Sequence, residues 1–467
     1  MTNKSLSNTP IYNTLKDYLS KDPIRMHVPF HNGIPNNNIF PKELYNLDIS
    51  EVSGYDIEGE DNPIFQSEKI TANHFGIKHS FYLTGGASIG LVASLISLNK
   101  FGKKVILARN VHKSVINGVV LSGLEPIWLE IDFLDKWGIF STINPDNLEK
   151  LLSNERDIAG CVIVSPTYEG VISNVKEISD ICHKKNIPLI VDEAHGGHLW
   201  FLGHGGNNAM SFPGLTRESS HENTNYNLLD SRFRGNNMLI QTSALHCGAD
   251  LIIQSWHKSL GSLTQSGVLH LANEKFFTYN DIKRSLDLVS STSPSFLLLL
   301  SLELTRKYIS DINDSVFNSL LTMAQSLKEE MKKIKGLEIF NNDDPLKIYL
   351  KSKNISGIDF AFELYKEHSI EIESANDIGL LMLIGQGFNN ELKNKIIGAV
   401  NEIATRKGMP WHAPTKGKPH IRKFKTTPRK AFMQGFQNKT NCEYESEITD
   451  PCPPGYAINV PGMSDGN

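Results

Sequence analysis

The chain reads as an α/β protein, with a large domain built on a doubly wound, mostly parallel sheet and a smaller α+β domain after it. Two observations predict the large domain. Short runs of β-branched and aliphatic residues, 104–108, 126–131, 160–165, 187–191 and 251–253, have the length and continuity of strands buried on both faces. Segments with helical spacing, 145–153 and 175–184 among them, lie between these runs. Strands alternating with helices build a parallel sheet that takes its ligands at the carboxyl ends of the strands. A third observation predicts the second domain: past an apolar helix at 296–309, helical patterns near 316–334 and 390–406 surround strand patterns at 338–340, 346–350 and 378–384. The expected division is an arm over 1–40, a large domain over 41–300, a small domain over 301–410 and a shortened C-terminal segment over 411–467.

Composition narrows the function. A chain of 467 residues with 40% hydrophobic content can bury a large core. The net charge of -4 gives no reason to expect nucleic acid or an anionic membrane surface as a partner. Five scattered cysteines without metal-ligand spacing suit a reducing compartment and imply no zinc site. The first ten residues carry no apolar h-region, and no apolar run approaches the ~18 residues a membrane span requires. The expected location is the cytoplasm.

Taken in order, Ile11, Leu15 and Leu19 share a helical face in the arm. Asp48, Glu51, Gly54 and Asp56 form an acidic stretch suited to loop capping. From Ile70 to Leu98 the pattern is helix, strand, glycine turn, helix, and Gly85-Gly86-Ala87-Ser88 opens the second helix. Backbone N–H groups at such a start bind anions, and the glycines let a phosphate approach, so Ala87 and Ser88 are phosphate candidates. The strand 104–108 runs into Arg109-Asn-Val-His-Lys-Ser114, and 187–191 runs into Asp192-Glu-Ala-His-Gly-Gly-His198. The strand 251–253 runs into Ser255-Trp-His-Lys258. A hydroxyl, an imidazole and an amine converging past a buried strand suit an anionic ligand that carries a carbonyl, which describes pyridoxal 5'-phosphate. Its pyridine nitrogen needs a carboxylate beside it to stay protonated, and Asp192 is the candidate. The segment 264–271 returns a strand, and 290–295 is placed to cap the helix 296–309.

Between residues 201 and 244 the pattern breaks. Gly206-Asn207-Asn208 recurs as Gly235-Asn236-Asn237 around a polar stretch, which reads as an insertion over 209–237 with a short duplication. Such a stretch buries too little apolar area to offset its ordering entropy. Deleting 209–237 is therefore expected to leave cofactor binding and the thermal midpoint nearly unchanged, because loop-closure entropy grows slowly with length. A large fall in the midpoint, measured by calorimetry, would contradict this.

Four blocks, Arg109–Ser114, Ser165-Pro-Thr-Tyr-Glu-Gly170, Asp192–His198 and Ser255–Lys258, resemble in kind and order the RNxHKS, SPTYYG, DEAHGAH and SxHK blocks of the Orn/Lys/Arg decarboxylase family. The resemblance implies a fold-type-I pyridoxal-phosphate enzyme that decarboxylates arginine, lysine or ornithine to the amine, feeding polyamine synthesis, as a homodimer or higher assembly with shared active sites. It implies Lys258 as the amine holding the cofactor, Asp192 at the pyridinium, His112 over one ring face and Ala194 against the other. Ala87, Ser88, Ser255 and His257 would bind the phosphate, with His195 also in the cofactor site. Thr292 and Ser293 would lie near the neighbouring subunit's cofactor phosphate, and Lys258 or His257 would return a proton to the α-carbon. The sequence departs from the family pattern at Phe30 and Asn32 in the arm, and at Cys452 and Met463 in the tail. Two other readings stay open. One is a different pyridoxal reaction, such as transamination or aldol cleavage; the other is a cofactor-binding paralogue with a regulatory role.

Overall fold

The computed structural model describes residues 8–35, 40–50, 52–55, 57, 59–203, 243–312, 314–406 and 429. Glu51, Asp56, the insertion 209–237, and Glu443, Glu445, Cys452 and Met463 in the tail lie outside them. The central sheet contains seven strands: β1 (His79–Leu83), β2 (Lys104–Ala108), β3 (Glu125–Leu129), β6 (Ile158–Val164), β7 (Leu189–Asp192), β8 (Leu251–Gln254) and β9 (Gly267–Leu271). Their spatial order is β1-β9-β8-β7-β6-β2-β3. Only β9 runs antiparallel to its neighbours in this sheet. A separate hairpin joins β4 (Ile131–Leu134) to β5 (Ile139–Ile143). The expected strand at 126–131 is thus divided: Glu130 falls between β3 in the sheet and β4 in the hairpin.

Helices cover the sheet as the alternating pattern requires. They are α1 (Pro10–Ser20), α2 (Lys42–Leu47), α3 (Pro63–Phe75), α4 (Gly86–Ser97), α5 (Lys113–Ser122), α6 (Pro145–Asn154), α7 (Val175–Lys184), α8 (Trp256–Ser259), α9 (Tyr279–Asp287) and α10 (Phe296–Asp311). Ser295 takes the N-cap position of α10 but makes no side-chain cap bond, which corrects the capping expected there. The arm does not reach away from this domain: Ile11 and Leu15 lie in its core, and the buried Glu303 carboxylate of α10 accepts the N–H groups of Ile11 and Tyr12 at 2.9 and 2.7 Å. Those donors have no intrahelical partner at the start of α1, so an acid on another helix caps it.

The second domain contains β10 (Leu337–Ile339), β11 (Lys347–Ser352), β12 (Ser374–Ala375) and β13 (Leu380–Leu383), joined as one antiparallel sheet in the order β10-β11-β13-β12. The helices α11 (Asp314–Met331), α12 (Gly357–His368) and α13 (Asn390–Thr405) complete it. The first core extends to Ile309 and the second starts at Leu320, so α10 belongs with the large domain rather than beyond a boundary at 300. Two helices that hydrophobic spacing passes over start from caps written in the sequence. Thr278 and Asp281 form a capping box at α9, and Ser356 Oγ accepts the Asp359 N–H at α12.

The loop after β6 joins the two domains. Gly170 O accepts the N–H groups of Asp343 and Asp344, and Lys347 Nζ donates to Thr167 O at 3.0 Å. Gly170 has φ +94°, and a Cβ there would stand 2.7 Å from Asn342 Nδ2, so both conformation and space select glycine. Among the described residues no helix is long and apolar enough to cross a membrane.

Candidate active site

The strands β6, β7 and β8 end around a cleft of about 280 Å³. Ala87, Ser88, His112, Asp192, Ala194, His195, Ser255, His257 and Lys258 all line it, though they come from four separate strand-to-helix junctions. Thr292 and Ser293 do not; they are exposed on this chain. Asp250, with which the Lys258 segment starts, points elsewhere, accepting from Leu189 N and lying 2.9 Å from His183 Nε2.

Each side chain is held by local chemistry. Gly86, at φ +78°, turns the chain from β1 into α4, whose N-cap Gly85 offers no side-chain cap and whose first turn carries no acid. The donors left over at that helix start are therefore available to an anion in the cleft. His112 caps α5, its Nδ1 accepting the Ser114 N–H at 3.1 Å, which leaves Nε2 as the protonated ring nitrogen. Burial, then the nearby Lys258 and Lys113, lower its pKa to about 4, so the ring facing the cleft is neutral. His257 Nδ1 lies 3.0 Å from Ser266 O, a contact in which Nδ1–H donates.

Asp192 is buried at the end of β7, and its Oδ1 accepts the Ala194 N–H at 3.1 Å. Burial raises its pKa to about 6, against the opposing pull of that N–H and of Lys258. Such a carboxyl is short of positive charge, as expected of a group built to meet a cationic partner. Burial also lowers the pKa of Lys258, partly offset by Asp192 and Glu373. Lys258 Nζ lies 3.0 Å from His195 Nε2, and burial followed by the charge of Lys258 keeps that histidine far below its ordinary value. His195 is therefore neutral, and its Nε2 accepts a hydrogen bond from the lysine.

Several further residues, without a marked signal in the sequence, reach the site. Tyr168 and Asn110 line the cleft, although both lie within the motif blocks. The ring of Tyr168 meets His195 edge-on at 4.7 Å, and its hydroxyl donates to Glu373 Oε1 at 2.5 Å. Thr264 and Gln265 come from the turn before β9. Gln386 of the small domain donates to Leu260 O at 3.3 Å, just past Lys258. No local pattern marks Glu373 or Gln386, because each reaches the site from more than a hundred residues away.

These residues fit pyridoxal phosphate by their chemistry: a buried amine, a carboxyl deprived of a cation, an uncapped helix start for the phosphate, and a neutral imidazole beside them. Fold and site together define a fold-type-I pyridoxal-phosphate enzyme. The structure resembles the constitutive lysine decarboxylase of E. coli with a TM-score of 0.71, at 16% identity over 98% of this chain and 76% of that one. It resembles lysine decarboxylase A of Pseudomonas aeruginosa with a TM-score of 0.72, at 14% identity over 97% and 74%. In sequence it is 26% identical to an arginine decarboxylase of Bacillus subtilis (strain 168), over 98% of this chain and 91% of that protein. The profile described as "Orn/Lys/Arg decarboxylase, major domain" matches residues 9–253 and 217–465. The chain belongs to the Orn/Lys/Arg decarboxylase family, and it is a pyridoxal-phosphate-dependent amino-acid decarboxylase.

Proposed function

We propose that this enzyme decarboxylates a basic amino acid to the corresponding amine, a reaction that supplies polyamine synthesis, and that arginine is the first substrate to test. Relatives aligned over nearly the whole chain carry the name arginine decarboxylase, while lysine decarboxylases share the fold. The observation that carries the reading is Lys258 facing Asp192 across a cleft flanked by the neutral rings of His112 and His195.

Lys258 would hold the cofactor, Asp192 would pair with its pyridinium, and His112 and Ala194 would cover its ring. Ala87, Ser88, Ser255 and His257 would hold the phosphate. When bound, the cofactor would supply the electron sink that loss of the substrate carboxylate as CO2 requires. His195 Nε2 accepts a hydrogen bond from Lys258 and orients it, while burial weakens the lysine's hold on its proton and so favours the free amine. Tyr168, tied to Glu373, braces His195 and closes the cleft from the small-domain side. Lys258 or His257 then returns a proton to the α-carbon.

The active unit is a homodimer or larger assembly in the cytoplasm. Thr292 and Ser293, exposed here, would serve the neighbouring cofactor phosphate. Ile24, Met26 and Phe30, at 90%, 88% and 98% exposure, offer apolar surface for a second copy to cover. The direct test is an amine product screen on purified, cofactor-loaded protein with arginine, lysine and ornithine. Keto-acid or aldehyde products with no amine would overturn the proposal.

The distal cation of such a substrate needs an acid partner, since a buried unpaired charge is costly. The family pattern has Glu after the tail Pro-Gly where this chain has Met463. Met463→Glu is expected to improve kcat/KM for at least one of the three amino acids. Strong wild-type activity that is indifferent to changes at Met463, Glu443 and Glu445 would place the specificity acid elsewhere.

A further inference from the structure

Glu193 follows Asp192 directly, is fully buried, and does not line the cleft. Its carboxyl is nonetheless fully engaged. Oε1 accepts the Ala244 N–H at 2.6 Å, and Oε2 accepts the Ser243 hydroxyl at 3.1 Å and the Gln254 amide at 2.6 Å. At its other end Gln254 Oε1 accepts from Trp256 Nε1 at 2.9 Å and from His270 Nε2 at 3.2 Å. Ser80 Oγ lies 3.0 Å from His270 Nδ1. These bonds cross the sheet from β7 through β8 and β9 to β1. They run one residue away along the chain from Asp192 and Ser255, which face the cleft.

The network ends on the element that carries Lys258. Helix α8 has four residues, too few to be stable by itself, so its position must come from what its first residue is anchored to. That residue is Trp256, with no exposed surface, packed against Phe75 at 5.8 Å and His270 at 6.4 Å between ring centres. An indole ring in an apolar pocket has several tilts of similar packing energy, and the Nε1–H bond selects one. The Gln254 amide can satisfy its neighbours in one orientation only: its NH₂ must meet Glu193, and its oxygen must meet Trp256 Nε1–H, which is purely a donor.

We propose that Glu193 and Gln254 are positioning residues, forming a relay that orients Trp256 and so fixes the turn presenting Lys258 to the cleft. The inference rests on the reading of Lys258 as the amine that holds the cofactor. It adds a function for the Glu of the Asp192–His198 block: tying the re-entering chain at Ser243–Ala244 to the lysine turn.

The experiment measures how fast pyridoxal phosphate attaches covalently to apoprotein, by trapping with borohydride and locating the modified peptide by mass spectrometry. Steady-state kinetics and thermal midpoints accompany it. Glu193→Gln places an NH₂ against the Gln254 NH₂, and Gln254→Glu places one carboxyl against another. Each should slow attachment by about tenfold, the effect of about one lost hydrogen bond, and lower kcat with KM largely kept. Trp256→Phe, which keeps the ring and removes the donor, should do the same with little change in midpoint. The exchanged pair Glu193→Gln/Gln254→Glu matches donors to acceptors again along the relay. The amide introduced at position 193 would donate to the carboxylate introduced at position 254, and that carboxylate would also accept from Trp256 and His270. The pair should recover most of the attachment rate. Wild-type attachment rates in the single variants, or single losses that the exchanged pair does not recover, would overturn the relay. Trapping that persists in Lys258→Ala would instead overturn the reading of Lys258 on which it stands.

Discussion

Lys258→Ala is expected to yield a folded protein that holds no covalent cofactor and whose turnover falls by a factor on the order of 10³ to 10⁴, the scale of losing a positioned proton-transfer group. The fold should survive because the side chain borders the cleft and fills no core volume, while the anchor of its turn, Trp256, stays buried. Stability should not fall through lost charge either. Burial lowers the pKa of Lys258, so its ammonium is held at a cost, and alanine removes that cost. Borohydride trapping, the visible absorbance of the bound cofactor, amine production and the thermal midpoint measure these effects separately. A variant that still traps cofactor at the same peptide, or that unfolds at ordinary temperature, would contradict the assignment.

Asp192→Asn separates function from stability, and its two effects have opposite signs. Turnover should fall by a factor on the order of 10² to 10⁴, because an amide cannot keep the pyridine nitrogen protonated, although Asn can still accept the Ala194 N–H. The apoprotein should become more stable. The Asp192 pKa is about 6 in the folded chain against the ordinary 3.8. As pH rises between those values the unfolded chain gives up this proton first, so the wild type loses stability across that window and carries a constant penalty above it. The penalty is about 3 kcal/mol at most. The Asn apoprotein should therefore match the wild type near pH 4 and exceed it at pH 7. Cofactor binding should stabilise the wild type more than the variant, since the pyridinium supplies the positive charge the carboxyl lacks. Thermal midpoints of apo and loaded protein across pH, alongside steady-state assays, test both signs. An Asn apoprotein less stable than the wild type at pH 7 would show that Asp192 is satisfied without the cofactor.

Active sites that hold a charge awaiting its partner commonly weaken the fold that carries them. Asp192, Lys258 and His195 show the pattern together: burial disfavours the charged form of each, and all three line one cleft. The site is thus prepared to be completed by a ligand that carries both an anion and a cation.

The alternation of strands and helices could be read directly from the residues, because strand and helix periodicities are set by positions a few residues apart and survive any tertiary arrangement. Polar blocks that end buried strands in a parallel sheet are also expected to converge on one edge, and nine of the eleven residues proposed for the site line one cleft. Tertiary structure alone decided the rest. The antiparallel β9 inserted between β1 and β8, the edge-on brace of Tyr168 and Glu373 against His195, and the path from Glu193 to Trp256 all join residues distant in sequence. The boundary near Ile309, rather than 300, was likewise set by which core the helix α10 packs against. Such contacts carry no periodic signature, because each depends on the whole chain having closed around it.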